Sequence, residues 1–186
     1  LVAACAGREV HVVVTARDLA RVLPSMWQQQ LRSGGDVGWD DYLDAVVRRQ
    51  GPVAKRFWNN QGLVKVLQRW STVVAPERIH VVTVPPSGAP PTQLLERFCE
   101  VLGVDPGPLA EHTPRGNPSL GRVEAELLRR VNASLPAERR RRQVYGTVGK
   151  RYFSQDVLGD LRSDRTRVPQ RLQAWCTEQA ERVVVT

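Results

Sequence analysis

Lysine is nearly missing from this chain: 24 of its 27 basic residues are arginine, leaving Lys55, Lys65 and Lys150. A GC-rich coding sequence produces such a bias by itself. The formal charge of +8 is therefore compatible with an anionic partner without demonstrating one. Cysteine is equally sparse. Cys5, Cys99 and Cys176 are odd in number and far apart, with no CxxC or Cys/His spacing. That pattern argues against a zinc site and a disulfide frame, and for reduced thiols in the cytoplasm. No run of 18 or more apolar residues, no signal-peptide pattern and no repeat of a longer unit occurs. The expectation is a soluble, cytoplasmic α/β chain with no membrane partner.

The chemical motifs of common enzyme classes are missing too. There is no GxxxxGK[ST] phosphate loop, no GxSxG, no HExxH and no GxGxxG. Gly146-Thr-Val-Gly149-Lys150 imitates part of a phosphate loop, but Val144 stands in place of the first Gly and Arg151 in place of the Ser/Thr. It also follows no strand, so it is rejected as a phosphate cradle. No metal site is expected.

What is present is a stretch that organises the rest, Val10 to Gln30, VHVVVTARDLARVLPSMWQQQ. A β-branched apolar run over Glu9 to Thr15 reads as a buried strand, with His11 as a structural histidine within it. Asp18 is placed to cap the helix that follows, whose inner face is Leu19, Val22, Leu23, Met26 and Trp27, with a kink expected at Pro24. A second strand, Arg78 to Val84, repeats the first: a basic residue, a His, then Val-Val-Thr. About sixty residues of helical pattern separate the two, which excludes a hairpin and implies crossover connections in a parallel sheet.

Between the strands, Asp40 reads as the cap of a short helix with Leu43, Val46 and Val47 inward, ending near Gly51-Pro52. A longer helix follows Phe57 and Trp58, over Gln61 to Val74, with the stripe Leu63, Val64, Leu67 and Trp70. After the second strand come a stiff PPSGAPP loop, a helix Thr92 to Leu102, and a proline-rich loop or lid, Asp105 to Ser119. A helix Leu120 to Leu135 turns Val123, Leu127, Leu128 and Val131 inward. Val144 to Gly159 and Val168 to Val185 read as two further helices, with Trp175 and Cys176 packing the last one onto the sheet. The chain opens Leu-Val-Ala-Ala-Cys, without an initiator Met, and its first clear element is a strand suited to the middle of a sheet. Residues 1–186 are therefore expected to form a single domain, or rather the C-terminal part of one.

Two residues emerge as a candidate binding pair. An arginine at the carboxyl end of a parallel strand lies where open α/β sheets bind ligands, and its planar fork suits a phosphate. Arg17 holds that place. Ser25 follows eight residues later, a little over two helical turns, which returns its hydroxyl to roughly the same side of the helix. Arg139 to Arg142 is the densest positive run, read as a solvated helix face, with a nucleic-acid-binding module as the alternative.

A strand, an Arg and a Ser eight residues on in the next helix resemble the 3′-phosphate-binding motif of PAPS-dependent sulfotransferases. The stretches VHVVVTARDLARVLPSMWQQQ, WDDYLDAV, RIHVVTVPPSGAPP, LLERFCEVLGVDP and NPSLGRVEAELLRRVN are similar to sulfotransferase-like proteins of actinobacteria. The likeness runs from about Arg8 to Leu135 and more loosely to the end. It implies a P-loop-type α/β fold, here an incomplete, helix-rich parallel sheet. It also implies 3′-phosphoadenosine 5′-phosphosulfate (PAPS) as the donor and an acceptor carrying a hydroxyl or amine.

On that likeness Arg17 and Ser25 hold the 3′-phosphate of PAPS or of the product PAP. Asn117 with Ser119, and Gly149 with Lys150 and Arg151, are weaker candidates for the nucleotide. Two departures stand out. The family usually continues Arg-Asn-Pro where this chain has Arg17-Asp18-Leu19, and the family's phosphosulfate loop and catalytic base lie upstream of the residues present. The catalytic residues are thus unassigned, and a non-catalytic nucleotide-binding relative stays open.

Overall fold

The computed structural model describes residues 5, 7–110, 119–136, 138–140, 145–146, 157–158, 161 and 163–184. Within them the chain is α/β and rich in helix, in the order β1 (Val12–Ala16), α1 (Leu19–Leu31), α2 (Trp39–Arg48), α3 (Gly51–Gln61), α4 (Leu63–Ser71), β2 (Ile79–Thr83), α5 (Gln93–Leu102), α6 (Gly107–Ala110), α7 (Arg122–Ser134) and α8 (Gln173–Val184). The chain divides into two compact units. One joins Leu1–Asp18, Asn59–Arg115 and Ala180–Thr186; the other joins Leu19–Trp58 and Gly116–Gln179.

The first unit holds the sheet. β1 and β2 pair in parallel, in register from Val12 opposite Ile79 to Ala16 opposite Thr83. This is the parallel crossover arrangement that the sixty-residue separation implies, and it is the sheet found among the described residues. Pairing begins at Val12 rather than at Glu9. The reason lies in the partner, where Pro76–Arg78 form a short 3-10 turn that delays β2 to Ile79.

Helices α4 and α5 pack on β2. α4 is shorter than the periodicity of Gln61 to Val74 implies. It starts after Gly62 and ends at Ser71, and its apolar stripe is half-buried rather than buried. Val64 and Leu67 of α4, Ile79 and Val81 of β2 and Val183 of α8 line an open apolar groove of about 350 Å³. α5 ends at Gly103, whose positive φ of 65° lets its N–H turn back to the carbonyls of Cys99 and Glu100. The proline-rich segment begins with the one-turn helix α6 instead of a loop. Asp105 explains it, because its carboxylate accepts from the N–H of Gly107 at 3.0 Å and fixes the turn.

The second unit is helical, built around Leu23, Trp27 and Leu31 of α1, Tyr42, Leu43 and Val46 of α2, Phe57 of α3 and Leu128 of α7. Fully burying a leucine contributes about 1.5–3 kcal/mol, so these positions dominate the unit's stability. Trp27 buries its ring and Trp58 half-buries its own, while their indole N–H groups donate to the carbonyls of Val37 and Val46, each at 2.9 Å.

Several expectations need correction here. Gly38, not Asp40, is the N-cap of α2; Asp40 and Asp41 sit in its first turn, where their charge complements the helix dipole. Gly51-Pro52 does not merely end a helix but opens α3. The lack of an N–H on Pro52 costs nothing there, because first-turn N–H groups have no partner within the helix.

α7 buries Leu128 and half-buries Val131 as expected, but the rest of its inward face differs. Val123 and Leu127 are 65% and 44% exposed, whereas Glu124, Ala125, Leu128 and Asn132 are buried. Trp175 and Cys176, expected against the sheet, pack within the helical unit: Cys176 joins its core, and the Trp175 ring meets Trp58 edge-on at 6.2 Å. The helix expected over Val144 to Gly159 falls largely outside the described residues.

Candidate functional site

A parallel pair delivers both carboxyl ends to one edge of the sheet. β1 ends at Ala16 opposite Thr83, and the N–H of Val84 donates to the Ala16 carbonyl at 2.7 Å, so the pairing holds to the last residue. Arg17 is the next residue and is exposed. β2 leaves the same edge through Pro85 and Pro86, which bring no N–H groups.

A second guanidinium sits on this edge. Arg97 of α5 donates from Nη1 to the Thr83 carbonyl at 2.7 Å and to the Thr83 hydroxyl at 2.8 Å. Nothing in the local pattern announces it. One Arg within the amphipathic LLERF stretch carries no sign that it returns to a strand end fourteen residues earlier. The edge thus presents two cations, with the exposed carboxylate of Asp18 beside the first. Chemically it can take an anion, and one that offers two oxygens to the planar guanidinium fork matches it best.

Ser25 lies in the middle of α1, in the helical unit. Its side chain is exposed, while Val22, Leu23, Trp27, Gln28 and Leu31 make the buried side of that helix. Arg17 belongs to the sheet-bearing unit. Of the weaker candidates, Ser119 is exposed and lies two residues before Gly121, the N-cap of α7. Asn117, Gly149, Lys150 and Arg151 lie outside the described residues, as do Arg141 and Arg142 of the arginine run. Arg140 of that run is committed to structure, its Nη1 lying 2.5 Å from the carboxylate of Asp36.

Sequence reasoning also missed a set of buried polar side chains in the helical unit. Gln28 makes a two-way amide bond with Leu120, donating to its carbonyl at 2.8 Å and accepting from its N–H at 2.9 Å. Glu124 accepts from the Ser163 hydroxyl, and Gly121 has no room for a side chain beside that pair, since a Cβ would also lie 2.7 Å from the Ser163 carbonyl. Asn132 accepts from the Tyr145 hydroxyl, whose pKa burial raises while that bond acts the other way. A polar residue at a helical core position has no sequence signal of its own, because only its distant partner makes burial tolerable.

On the surface of α7, Glu126 is held to about 2 by hydrogen bonding to Arg129, with a further bond from Arg130, against an opposing effect of desolvation. Among the described residues no group of three or more His, Cys, Asp or Glu side chains is placed to hold a metal ion, and no helix is long and apolar enough to cross a membrane. Comparison with protein-family models, with curated proteins and with solved structures returns no match.

Proposed function

We propose that this chain is part of a sulfotransferase of P-loop-like α/β fold, acting in the cytoplasm, that moves a sulfuryl group from PAPS to a hydroxyl or amine acceptor. Its share of the task is the 3′-phosphate side of the nucleotide. The observation that carries the reading is Arg17 standing immediately past the carboxyl end of β1, a strand paired in parallel. That is the place where open α/β sheets take their ligands, occupied by the side chain best shaped for a phosphate.

The sequence resemblance supplies the rest: it names Ser25 as the second donor and PAPS as the ligand. Arg97 strengthens the positive character of the same edge by holding the end of β2. The cysteines support the compartment, since Cys5, Cys99 and Cys176 are all free thiols. The sulfuryl transfer itself requires groups that stabilise charge on the bridging oxygen. No residue here is assigned to that step.

The test is calorimetric titration of adenosine 3′,5′-bisphosphate into the full-length protein, wild type against Arg17→Ala. Loss of a bidentate, charge-assisted phosphate contact should cost about 1.5–3 kcal/mol. Equal affinity in the two proteins would remove the basis of the assignment.

A further inference from the structure

The amino end of the parallel pair carries an arrangement that the proposed nucleotide edge does not use. Val13 pairs with His80, and His11, the residue just ahead of β1, lies two before Val13, so His11 and His80 fall on the same face of the pair. His11 Nδ1 and His80 Nε2 are 2.9 Å apart. The rings are nearly coplanar, 11° between planes, with centroids 5.2 Å apart, so they meet edge to edge through those nitrogens rather than face to face. On its far side His11 Nε2 lies 3.3 Å from the Glu9 carboxylate, and the same oxygen is 3.0 Å from Nε of Arg78. Arg78, Glu9, His11 and His80 thus form one chain across the two strands.

A metal does not explain this contact. An ion between facing imidazoles needs bonds of about 2.0–2.1 Å to each nitrogen, more room than the gap allows. The contact is a hydrogen bond, which exists only while one of the two nitrogens lacks a proton.

We propose that the His11–His80 contact is an acid-released clamp on the amino end of the β1–β2 pair, closed while at least one of the rings is neutral and opened when both imidazoles are protonated. In the neutral state Glu9 accepts from Nε2–H of His11, which leaves His11 Nδ1 as acceptor and His80 Nε2 as donor. One added proton still leaves a donor and an acceptor, and makes the bond charge-assisted. The second proton converts the acceptor into a donor and sets two cations against each other.

The charged neighbours set the balance. Arg8 and Glu9 precede β1, and Glu77 and Arg78 precede β2. α4 brings Lys65 and Arg69, α5 brings Glu96, Arg97 and Glu100, and the end of α8 brings Glu181 and Arg182. Arg69 is turned to the Asn59 carbonyl and Arg97 to Thr83. Glu9 is the carboxylate within hydrogen-bond distance of His11, and Arg78 shares it. Glu9 is therefore the near negative charge of the pair and Arg78 the near positive one.

The experiment is a nitrogen-detected NMR titration of the imidazoles in the full chain, from about pH 8 to about pH 4, with amide hydrogen exchange corrected for its intrinsic pH dependence. The clamp predicts a scalar coupling between His11 Nδ1 and His80 Nε2 at neutral pH and two separated titration steps. It also predicts loss of the coupling and at least a tenfold rise in exchange at Val14, Val81 and Val82, all at the second step. In His80→Gln, His11 should titrate in a single step and the acid-linked rise should vanish. Independent titration of the two rings, absence of the coupling, or the same acid-linked rise in His80→Gln overturns the proposal. If His80→Gln fails to fold, the coupling and the two steps in the wild type decide alone.

Discussion

The side-chain amide of Asn132, wholly buried on α7, donates to the carbonyl of Leu31, the last residue of α1, at 2.8 Å. It also reaches the Gly35 carbonyl at 2.6 Å, and its oxygen accepts from the Tyr145 hydroxyl. One side chain thus satisfies the end of a helix, the turn beyond it and a buried phenol. Asn132→Leu takes this partner from the Gly35 carbonyl, while the Leu31 carbonyl keeps the N–H of Gly34 at 2.9 Å and the Tyr145 hydroxyl at 3.4 Å; it should cost about 1–3 kcal/mol, the penalty of one buried group left unsatisfied. Urea unfolding followed by tryptophan fluorescence measures it. A loss below about 0.5 kcal/mol would mean that the Gly35 carbonyl finds another partner.

Tyr42 presents the opposite case. Its ring is buried in the helical core, stacked near Trp39 and edge-on to Phe57, yet its hydroxyl has no hydrogen-bond partner among the described residues. Burial raises its pKa well above the usual phenol value, which keeps it neutral. Tyr42→Phe removes an unsatisfied polar atom and keeps the packing. It should be neutral or stabilising by up to about 1–2 kcal/mol. Destabilisation by more than about 1 kcal/mol in thermal unfolding would reveal a bond to the hydroxyl that matters.

Glu126 makes a pH-dependent contribution whose sign is fixed. Its pKa falls from the ordinary 4.5 to about 2 in the folded chain, first through the hydrogen bond from Arg129. The folded state then binds fewer protons than the unfolded one between those values. The stabilisation is complete above pH 4.5 and lost as the pH falls through about 2. Because Glu126 is 39% exposed, solvent screening reduces the effect to about 0.3–1 kcal/mol. Glu126→Gln should therefore be less stable than wild type at pH 7 and indistinguishable from it near pH 2. A stability gap that persists at the acid end would point to a cause other than the charge.

What was legible in the sequence was what repeats locally. The β-branched runs of β1 and β2 and the apolar stripe of α1 declare themselves within a few residues, and the length between the strands fixes their parallel sense. α3 stayed hidden because Gly51-Pro52 is read as a stop, although the same dipeptide serves equally well as a start. The inward face of α7 was misplaced because Glu124 and Asn132 look like surface residues until Ser163, Leu31 and Tyr145 are seen beside them. The likeness of the two strands was visible, including their histidines, but not that the two rings touch, which needs the register of Val13 opposite His80. At the candidate site, Arg17 was legible as the end of a strand, and Arg97 was not, for it acts through a tertiary contact with Thr83.

Asp18 gives the sharpest test of whether the carboxyl edge of the sheet is an anion site. Its carboxylate is exposed directly after Arg17 and just ahead of α1, so a phosphate gripped by Arg17 has a negative charge for a neighbour. Asn serves ahead of a helix as well as Asp does, so Asp18→Asn removes the charge and keeps the capping chemistry. Exposed charges at such separations interact by about 0.5–1 kcal/mol, and salt screens them with a Debye length of about 10 Å at 0.1 M. Asp18→Asn should then bind adenosine 3′,5′-bisphosphate roughly two- to fivefold more tightly at low salt, the gain shrinking as salt is added. Unchanged or weaker binding at low ionic strength would place the phosphate elsewhere than on Arg17.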